Sequence, residues 1–151
     1  MYQKLDLSKK ITCNTVAKTF ELAATKLSCY ETTFCKQWLK SALCAAIQES
    51  DETIICQSKA YFFDEFLRSA NLPKNEGYEI DIEAMHWAGY IFTYWMYTTG
   101  ITGDKIASRY DIKSILEQYD ILHTMSVTAA IETIETQYTL GKTTLDSVLY
   151  R

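Results

Sequence analysis

The sequence predicts an all-α fold: one compact helical domain, residues 1–151, with about six to seven helices around a central aromatic-rich helix at 81–99. Its 151 residues contain five Gly and one Pro. This scarcity is typical of helices, since β folds use both residue types in their turns. Apolar residues also recur at a spacing of three or four along most of the chain. A chain of this length is the usual size of one domain and needs neither metal nor disulfide to stabilise its core.

The first two helices are predicted in the N-terminal third. Val16, Phe20 and Leu27 fall at helical spacing, which predicts a helix over 14–27 with Asn14 as its N-cap. The run from Ser28 to Glu31 reads Ser-x-x-Glu, a capping box, and predicts a second helix from residue 28 to about 49. The apolar stripe of that second helix consists of Phe34, Trp38, Leu39, Leu43 and Ile47.

A third helix is predicted from about residue 53 to Asn71, because Pro73 cannot continue a helix and disfavours one just before it. Its first four residues, TIIC at 53–56, are β-branched enough to allow a short strand instead. The polar segment 73–79, PKNEGYE, is the best candidate for a mobile surface loop.

The fourth helix is predicted to begin after Asp81 and to stop at Gly100. No Asp, Glu, Lys or Arg occurs from 84 to 103, and a stretch of this length is long enough to span a bilayer. It is, however, rich in Tyr and Thr and poor in Leu, Ile and Val, which membrane insertion favours. We therefore expect a buried central helix and no membrane span.

Three more helices are predicted after Gly100. One runs from Thr102 or Gly103 to Tyr110, a second is capped by Asp111 and reaches about residue 120, and a third is capped by Ser126 and reaches residue 140. One further turn is allowed after Gly141. The predicted buried stripe of the last helix consists of Val127, Ala130, Ile131, Ile134 and Tyr138.

Charge is unevenly distributed although the net charge is only −4. Seven lysines lie within the first forty residues, where they would suit phosphate binding: Lys4, Lys9, Lys10, Lys18, Lys26, Lys36 and Lys40. The same region contains no Arg, the residue that most often reads a guanine edge. A solvated helix face is the favoured interpretation, and no nucleic-acid partner is expected.

The five cysteines, Cys13, Cys29, Cys35, Cys44 and Cys56, match neither a zinc site nor a disulfide framework. None forms a CxxC pair, so we expect free, buried thiols and no metal or other cofactor. The first ten residues are polar and no apolar signal segment follows them. The expected location is therefore the reducing cytoplasm.

The sequence contains no motif that predicts catalysis. The two histidines are His86, expected to be a core or boundary residue of the central helix, and His123, expected in a connection between helices beside Asp120. There is no HExxH zinc motif and no glycine-rich phosphate loop. A Cys–His pair that meets only in the folded chain stays open. We do not expect an enzyme.

The aromatic surplus points to protein binding instead. Eleven Tyr, three Trp and six Phe make 13% of the chain, and Tyr and Trp are prominent in protein-binding surfaces. An ordinary aromatic core is the alternative explanation. The candidate partner-binding residues are His123, Tyr119, Asp120, Tyr90, Tyr94 and Tyr97.

Four segments carry a resemblance: WAGYIFTYW (87–95), TGITGDKI (99–106), YDILHT (119–124) and AAIETI (129–134). Over about residues 86–134 the chain resembles a group of small helical bacterial proteins of unassigned biochemistry. Members are often encoded beside toxin-like genes, some of the ADP-ribosyltransferase type. In these relatives a basic residue often stands where this chain has Thr93. The resemblance implies an antitoxin or accessory partner of a toxin and no catalytic residues.

The predicted function is thus a protein-binding module, the antitoxin that neutralises a bacterial toxin by direct contact. The expected partner is a toxin encoded nearby, and a homo-oligomer is compatible with the sequence. A second hypothesis is a phage or mobile-element protein that inhibits a host defence enzyme. A third, from another class, is a small-molecule binder or enzyme that uses His123 and the tyrosines.

Overall fold

Ten α-helices and no β-strand make up the part of the chain that this computed structural model describes, which is residues 4–149 for the backbone and 4–141 for the side chains. The all-α prediction is confirmed, but the expected six to seven helices were too few. Short breaks divide segments that the apolar pattern joins. The helices are α1 (Leu7–Lys26), α2 (Glu31–Leu39), α3 (Ala42–Gln48), α4 (Glu52–Ile55), α5 (Lys59–Ser69), α6 (Ile82–Thr99), α7 (Gly103–Arg109), α8 (Ile112–Glu117), α9 (Tyr119–Leu122) and α10 (Val127–Leu149).

The aromatic-rich helix α6 lies at the centre, as predicted, and packs antiparallel to α1, since Glu21 contacts His86 at one end of the pair and Lys9 contacts Tyr97 at the other. Its N-cap Asp81 accepts a hydrogen bond from the backbone N–H of Ala84 at 3.1 Å, and Gly100 ends it with φ +79°. Gly89 allows the two helices to approach closely, because a Cβ there would lie 2.9 Å from the Cα of Ala17. This close packing fixes the positions of the residues that α1 and α6 share.

Helix α1 is longer than predicted. It begins at Leu7 rather than residue 14, and Asp6 caps it by accepting a hydrogen bond from the backbone N–H of Lys9 at 2.9 Å. Asn14, the expected cap, lies exposed within the helix. The apolar pattern gave no sign of the first two turns because their outer apolar residues, Leu7 and Ile11, face solvent at 73% and 58% exposure.

The predicted helix over 28–49 is two helices, α2 and α3, separated at Ser41. The Ser41 hydroxyl accepts a hydrogen bond from the backbone N–H of Cys44 and so caps α3. Ser28 caps nothing: α2 begins at Glu31, and its N-cap Tyr30 makes no side-chain cap bond. The expected capping box was wrong because Glu31 instead bonds the start of α6. All members of the predicted apolar stripe are nevertheless buried: Phe34, Trp38, Leu39, Leu43 and Ile47.

The segment 53–71 also divides into two helices, α4 and α5. Residues 53–55 are helical, so the strand alternative for 53–56 is wrong. Ser58 lies between the two helices and caps α5, because its hydroxyl accepts a hydrogen bond from the backbone N–H of Tyr61. The loop at 73–79 contains no helix, as predicted. Asn75 in this loop donates its backbone N–H to the carbonyl of Ser28, in the connection between α1 and α2, at 2.6 Å.

An aromatic cluster fills the core between α1, α2 and α5. Phe20 meets Phe34 and Trp38 edge-on, with ring centroids 5.0 and 5.2 Å apart. Phe66 meets Phe34 edge-on at 5.1 Å. All four rings are buried, and they belong to one continuous hydrophobic core that also includes α6. Edge-to-face rings of this kind add to the stability that burial gives.

Most of the caps predicted for the C-terminal helices are confirmed. Thr102 and Asp111 cap α7 and α8, and the Ser126 hydroxyl accepts from the backbone N–H of Ala129. Helix α10 continues through Gly141 to Leu149 instead of stopping at residue 140. Tyr138 is 37% exposed and not part of a buried stripe, since its ring lies against Tyr110 at the surface with centroids 4.9 Å apart.

Four of the five cysteines are buried free thiols, Cys13, Cys29, Cys35 and Cys44. Cys56 departs from the expectation of burial and is exposed, because it follows the short helix α4, which contributes no buried residue. No helix in residues 4–149 combines the length and apolarity that crossing a membrane requires.

Candidate functional site

A surface cleft of about 410 Å³ lies where α1, α6 and α9 meet. It holds both histidines of the chain together with three aromatic rings and two carboxylates. The lining residues are Glu21, Ile82, Glu83, His86, Trp87, Tyr90, Tyr119 and His123. We call this the aromatic–histidine cleft.

Most of the lining comes from one face of α6. Glu83, His86, Trp87 and Tyr90 follow one another at steps of three, one and three residues, which puts them on neighbouring turns of the same face. These four side chains are half-buried or exposed, while the opposite faces of α6 are buried in the core. The central helix thus contributes to the core and the cleft at once.

Helix α9 forms the other wall and is anchored at both ends. Leu122 is buried at 1% exposure and fastens the short helix to the core. Gln118, just before α9, donates its side-chain amide to the Ser114 carbonyl at 3.1 Å and accepts from the Gln137 amide at 2.7 Å. These contacts hold Tyr119 against α6.

Three rings contact one another in sequence across the cleft. Trp87 meets Tyr119 edge-on with centroids 5.7 Å apart and an interplanar angle of 71°. Tyr119 lies parallel to His123 at 4.4 Å and 15°. Tyr90, further along α6, stacks on Tyr94 at 6.1 Å. The cleft therefore has aromatic rings on both of its walls.

Hydrogen bonds fix the same tautomer in both histidines. His86 donates Nδ1–H to Glu21 Oε2 at 3.0 Å, and His123 donates Nδ1–H to the Tyr119 carbonyl at 2.7 Å. Carboxylate and carbonyl oxygens only accept, so Nδ1 holds the proton in each ring. In the neutral ring Nε2 then keeps its lone pair, which leaves one hydrogen-bond acceptor on each histidine.

The electrostatic character of the cleft is acidic. Glu21 and Glu83 belong to its lining, and no Lys or Arg does within the part of the chain that the structure describes. Desolvation, followed by the charges of Glu83, Asp81 and Asp120, raises the pKa of Tyr119 above its ordinary value. A positively charged group would be favoured at this position.

The structure brings three of the six sequence-predicted site residues into the cleft: His123, Tyr119 and Tyr90. Tyr94 lies beside it through its stacking on Tyr90. Asp120 is exposed and outside the lining, where its charge still acts on Tyr119.

Tyr97 does not belong to this surface. It is 8% exposed and donates its hydroxyl to the Ile47 carbonyl at 2.7 Å. Burial raises its pKa to about 12. The sequence placed it with Tyr90 and Tyr94 because all three are on α6, but it lies on the helix face that packs against α3.

Sequence reasoning missed Glu21, Glu83, Trp87 and the cleft role of His86. The spacing of Glu83, His86, Trp87 and Tyr90 was a usable signal, since polar and aromatic residues shared one face of an otherwise apolar helix. Glu21 gave no such signal, because it is one exposed acid on α1 and reaches His86 only in the folded chain.

Two further observations concern possible metal ligands and the side chain of Thr93. Within residues 4–141 there is no group of three or more His, Cys, Asp or Glu side chains placed to hold a metal ion.

Thr93 is buried at 1% exposure and donates its hydroxyl to the Gly89 carbonyl at 2.8 Å. A side chain at position 93 therefore lies in the core, away from the cleft.

In comparisons with known proteins, the chain matches no family model, no curated protein and no solved structure.

Proposed function

We propose that this chain is a protein-binding module, the antitoxin of a bacterial toxin–antitoxin pair, which neutralises its partner by covering it with the surface around the aromatic–histidine cleft. The resemblance of residues 86–134 to proteins encoded beside toxin genes suggested this role. The observation that carries the binding part is the cleft itself, in which Trp87, Tyr119 and Tyr90 present ring surface that the core does not use.

An exposed apolar side chain in the lining extends this surface. Ile82, which lines the cleft, is 42% exposed. Exposed apolar groups beside rigid aromatic rings are typical of the centre of an interface. A standard interface of about 1,600 Å² in total would extend over this region.

The test is complex formation with the protein encoded by the neighbouring gene, measured by titration calorimetry with purified proteins. We expect a stoichiometric complex. His123→Ala should weaken it by about 1–3 kcal/mol and leave the melting temperature nearly unchanged, because His123 is exposed. Leu7→Ala is the matched control. It removes an exposed apolar side chain that lies roughly 20 Å along α1 from Glu21 in the cleft, and it should leave the affinity for the partner unchanged.

The absence of a complex with that protein would contradict the proposal. A loss of stability in His123→Ala, with unchanged affinity of the folded molecules, would instead show that His123 only fixes the bend between α9 and α10. The phage-inhibitor hypothesis predicts the same binding surface, with a host defence enzyme as the partner, and phage genes beside this one would favour it.

A second candidate, a small-molecule binder or enzyme, is favoured by one observation: both histidines line the same cleft, and each holds its Nδ1 in a hydrogen bond within the protein. His123→Ala then abolishes an activity and spares both stability and partner affinity. A metabolic operon around the gene would favour this candidate.

A further inference from the structure

The cleft combines aromatic rings with acidic side chains. Trp87 on α6 and Tyr119 on α9 both line it and meet edge-on, with centroids 5.7 Å apart. It also has two carboxylates, Glu21 and Glu83, in the same lining. Aromatic faces attract cations through their negative π surface, and carboxylates attract them through full charge. Together they favour an organic cation over a neutral or anionic group.

We propose that the aromatic–histidine cleft binds the guanidinium group of an arginine side chain on the protein partner. This inference rests on the proposed function, because the partner supplies the arginine. A guanidinium is flat and weakly hydrated, so it stacks on tryptophan and tyrosine rings and donates paired hydrogen bonds to carboxylates at the same time.

The hydrogen-bonding groups of the cleft match this ligand. The carboxylates of Glu21 and Glu83 both line the cleft, and their oxygens only accept hydrogen bonds. Glu21 Oε2 accepts one from His86 Nδ1–H at 3.0 Å. A guanidinium has five N–H donors and no acceptor, whereas the ammonium of lysine is a compact, strongly hydrated charge that cannot stack.

Tryptophan offers a specific readout of the cleft. The chain has three tryptophans, and Trp38 and Trp95 are buried at 1% and 0% exposure. Trp87 is therefore the indole that a ligand in solution can reach. Its indole N–H signal in a ¹⁵N correlation spectrum, assigned with Trp87→Phe, reports binding in the cleft directly.

The experiment titrates the full chain with N-acetyl-arginine amide, and in parallel with the neutral isostere N-acetyl-citrulline amide and with N-acetyl-lysine amide. We expect a saturable shift of the Trp87 signal with the arginine probe. Binding of the citrulline probe should be weaker by about tenfold, since it lacks the charge. Equal binding of the citrulline or lysine probe, or no saturable shift with arginine, would overturn the proposal.

Variants that remove one negative charge each test whether the cleft carboxylates bind the arginine probe. Glu21→Gln and Glu83→Gln should each weaken arginine binding several-fold, and Glu83→Gln keeps the Glu21–His86 hydrogen bond intact. Glu49→Gln is the control: it removes an exposed carboxylate beside Gln48, which bonds the Ile101 carbonyl just past the far end of α6. If all three variants bind the arginine probe equally, the cleft carboxylates do not hold it and the proposal fails.

The same variants separate this inference from the proposed function. If the neighbouring protein forms a complex that Glu83→Gln does not weaken, and the arginine probe leaves Trp87 unshifted, the inference fails and the antitoxin role stands. If the arginine probe binds but no complex forms, the antitoxin role fails and the guanidinium specificity of the cleft stands.

Discussion

Trp95 fills the interior of the core with a fully enclosed indole. Its ring meets Tyr110 edge-on at 4.7 Å, and in the part of the chain that the structure describes its Nε1–H has no hydrogen-bond partner. An unpaired buried N–H costs about 1–3 kcal/mol. The side chain therefore stabilises the fold through burial and ring packing alone.

Truncation of this side chain should be among the most damaging single changes. Trp95→Ala should lower the free energy of unfolding by about 3–5 kcal/mol, because it leaves a cavity and loses the burial of a large ring. Trp95→Phe should cost less, since it keeps an aromatic ring and removes the unpaired N–H. Urea unfolding measures both. A midpoint for Trp95→Ala equal to that of the parent protein would mean that the indole is not buried.

At the scale of the helices, the contact between α1 and α6 depends on one glycine. A Cβ at Gly89 would lie 2.9 Å from the Val16 carbonyl oxygen and the same distance from the Phe20 ring. Backbone atoms of α1 cannot move aside without moving the helix. The fit of these two helices also sets the distance between Glu21 and His86, and through it one wall of the cleft.

Gly89→Ala should therefore destabilise the protein by about 1–3 kcal/mol, the usual cost of overpacking a tight contact. Gly141→Ala is the matched control within a helix, because no atom of the described residues lies within 4 Å of its added Cβ. It should stabilise the protein by about 0.5–1 kcal/mol through helix propensity. Thermal unfolding of both variants compares them. Equal shifts of the melting temperature would mean that α1 and α6 are not in close contact at Gly89.

For the molecule as a whole, buried titratable groups predict a loss of stability at alkaline pH. Burial raises the pKa of Cys13 and of Cys44 from 9.0 to about 12. Both thiols stay protonated in the folded protein above pH 9, whereas they ionise in the unfolded chain. Their contribution to the free energy of unfolding is therefore complete below pH 9 and declines as the pH rises from 9 to 12.

Each such thiol should lower the free energy of unfolding by about 1.4 kcal/mol per pH unit within that window. Urea midpoints measured between pH 7 and pH 11 should stay level to about pH 9 and then fall. Cys44→Ala should make the decline shallower, and Cys56→Ala, which removes an exposed thiol, should leave it unchanged. A constant midpoint up to pH 11 would contradict the burial of these groups.

The helical state and the ends of several helices follow from local sequence patterns alone. Asp81, Gly100, Asp111 and Ser126 act on backbone groups within a few residues of themselves, so their effect can be read locally. The same local rules failed at Ser28, because Glu31 bonds residues that are distant in the chain. They also missed the breaks at Ser41 and Ser58, where the apolar stripe continues on both sides.

The cleft, in contrast, depends on contacts between helices that are distant in the chain. Glu21 and His86 are 65 residues apart in sequence, and their hydrogen bond exists because Gly89 lets α1 lie close against α6. Likewise, Tyr119 reaches Trp87 because Leu122 anchors α9 in the core, and His123 stacks on Tyr119. Sequence patterns report which face of a helix is apolar, but not which distant helix will pack against it. The pairing follows from the close packing of the whole core.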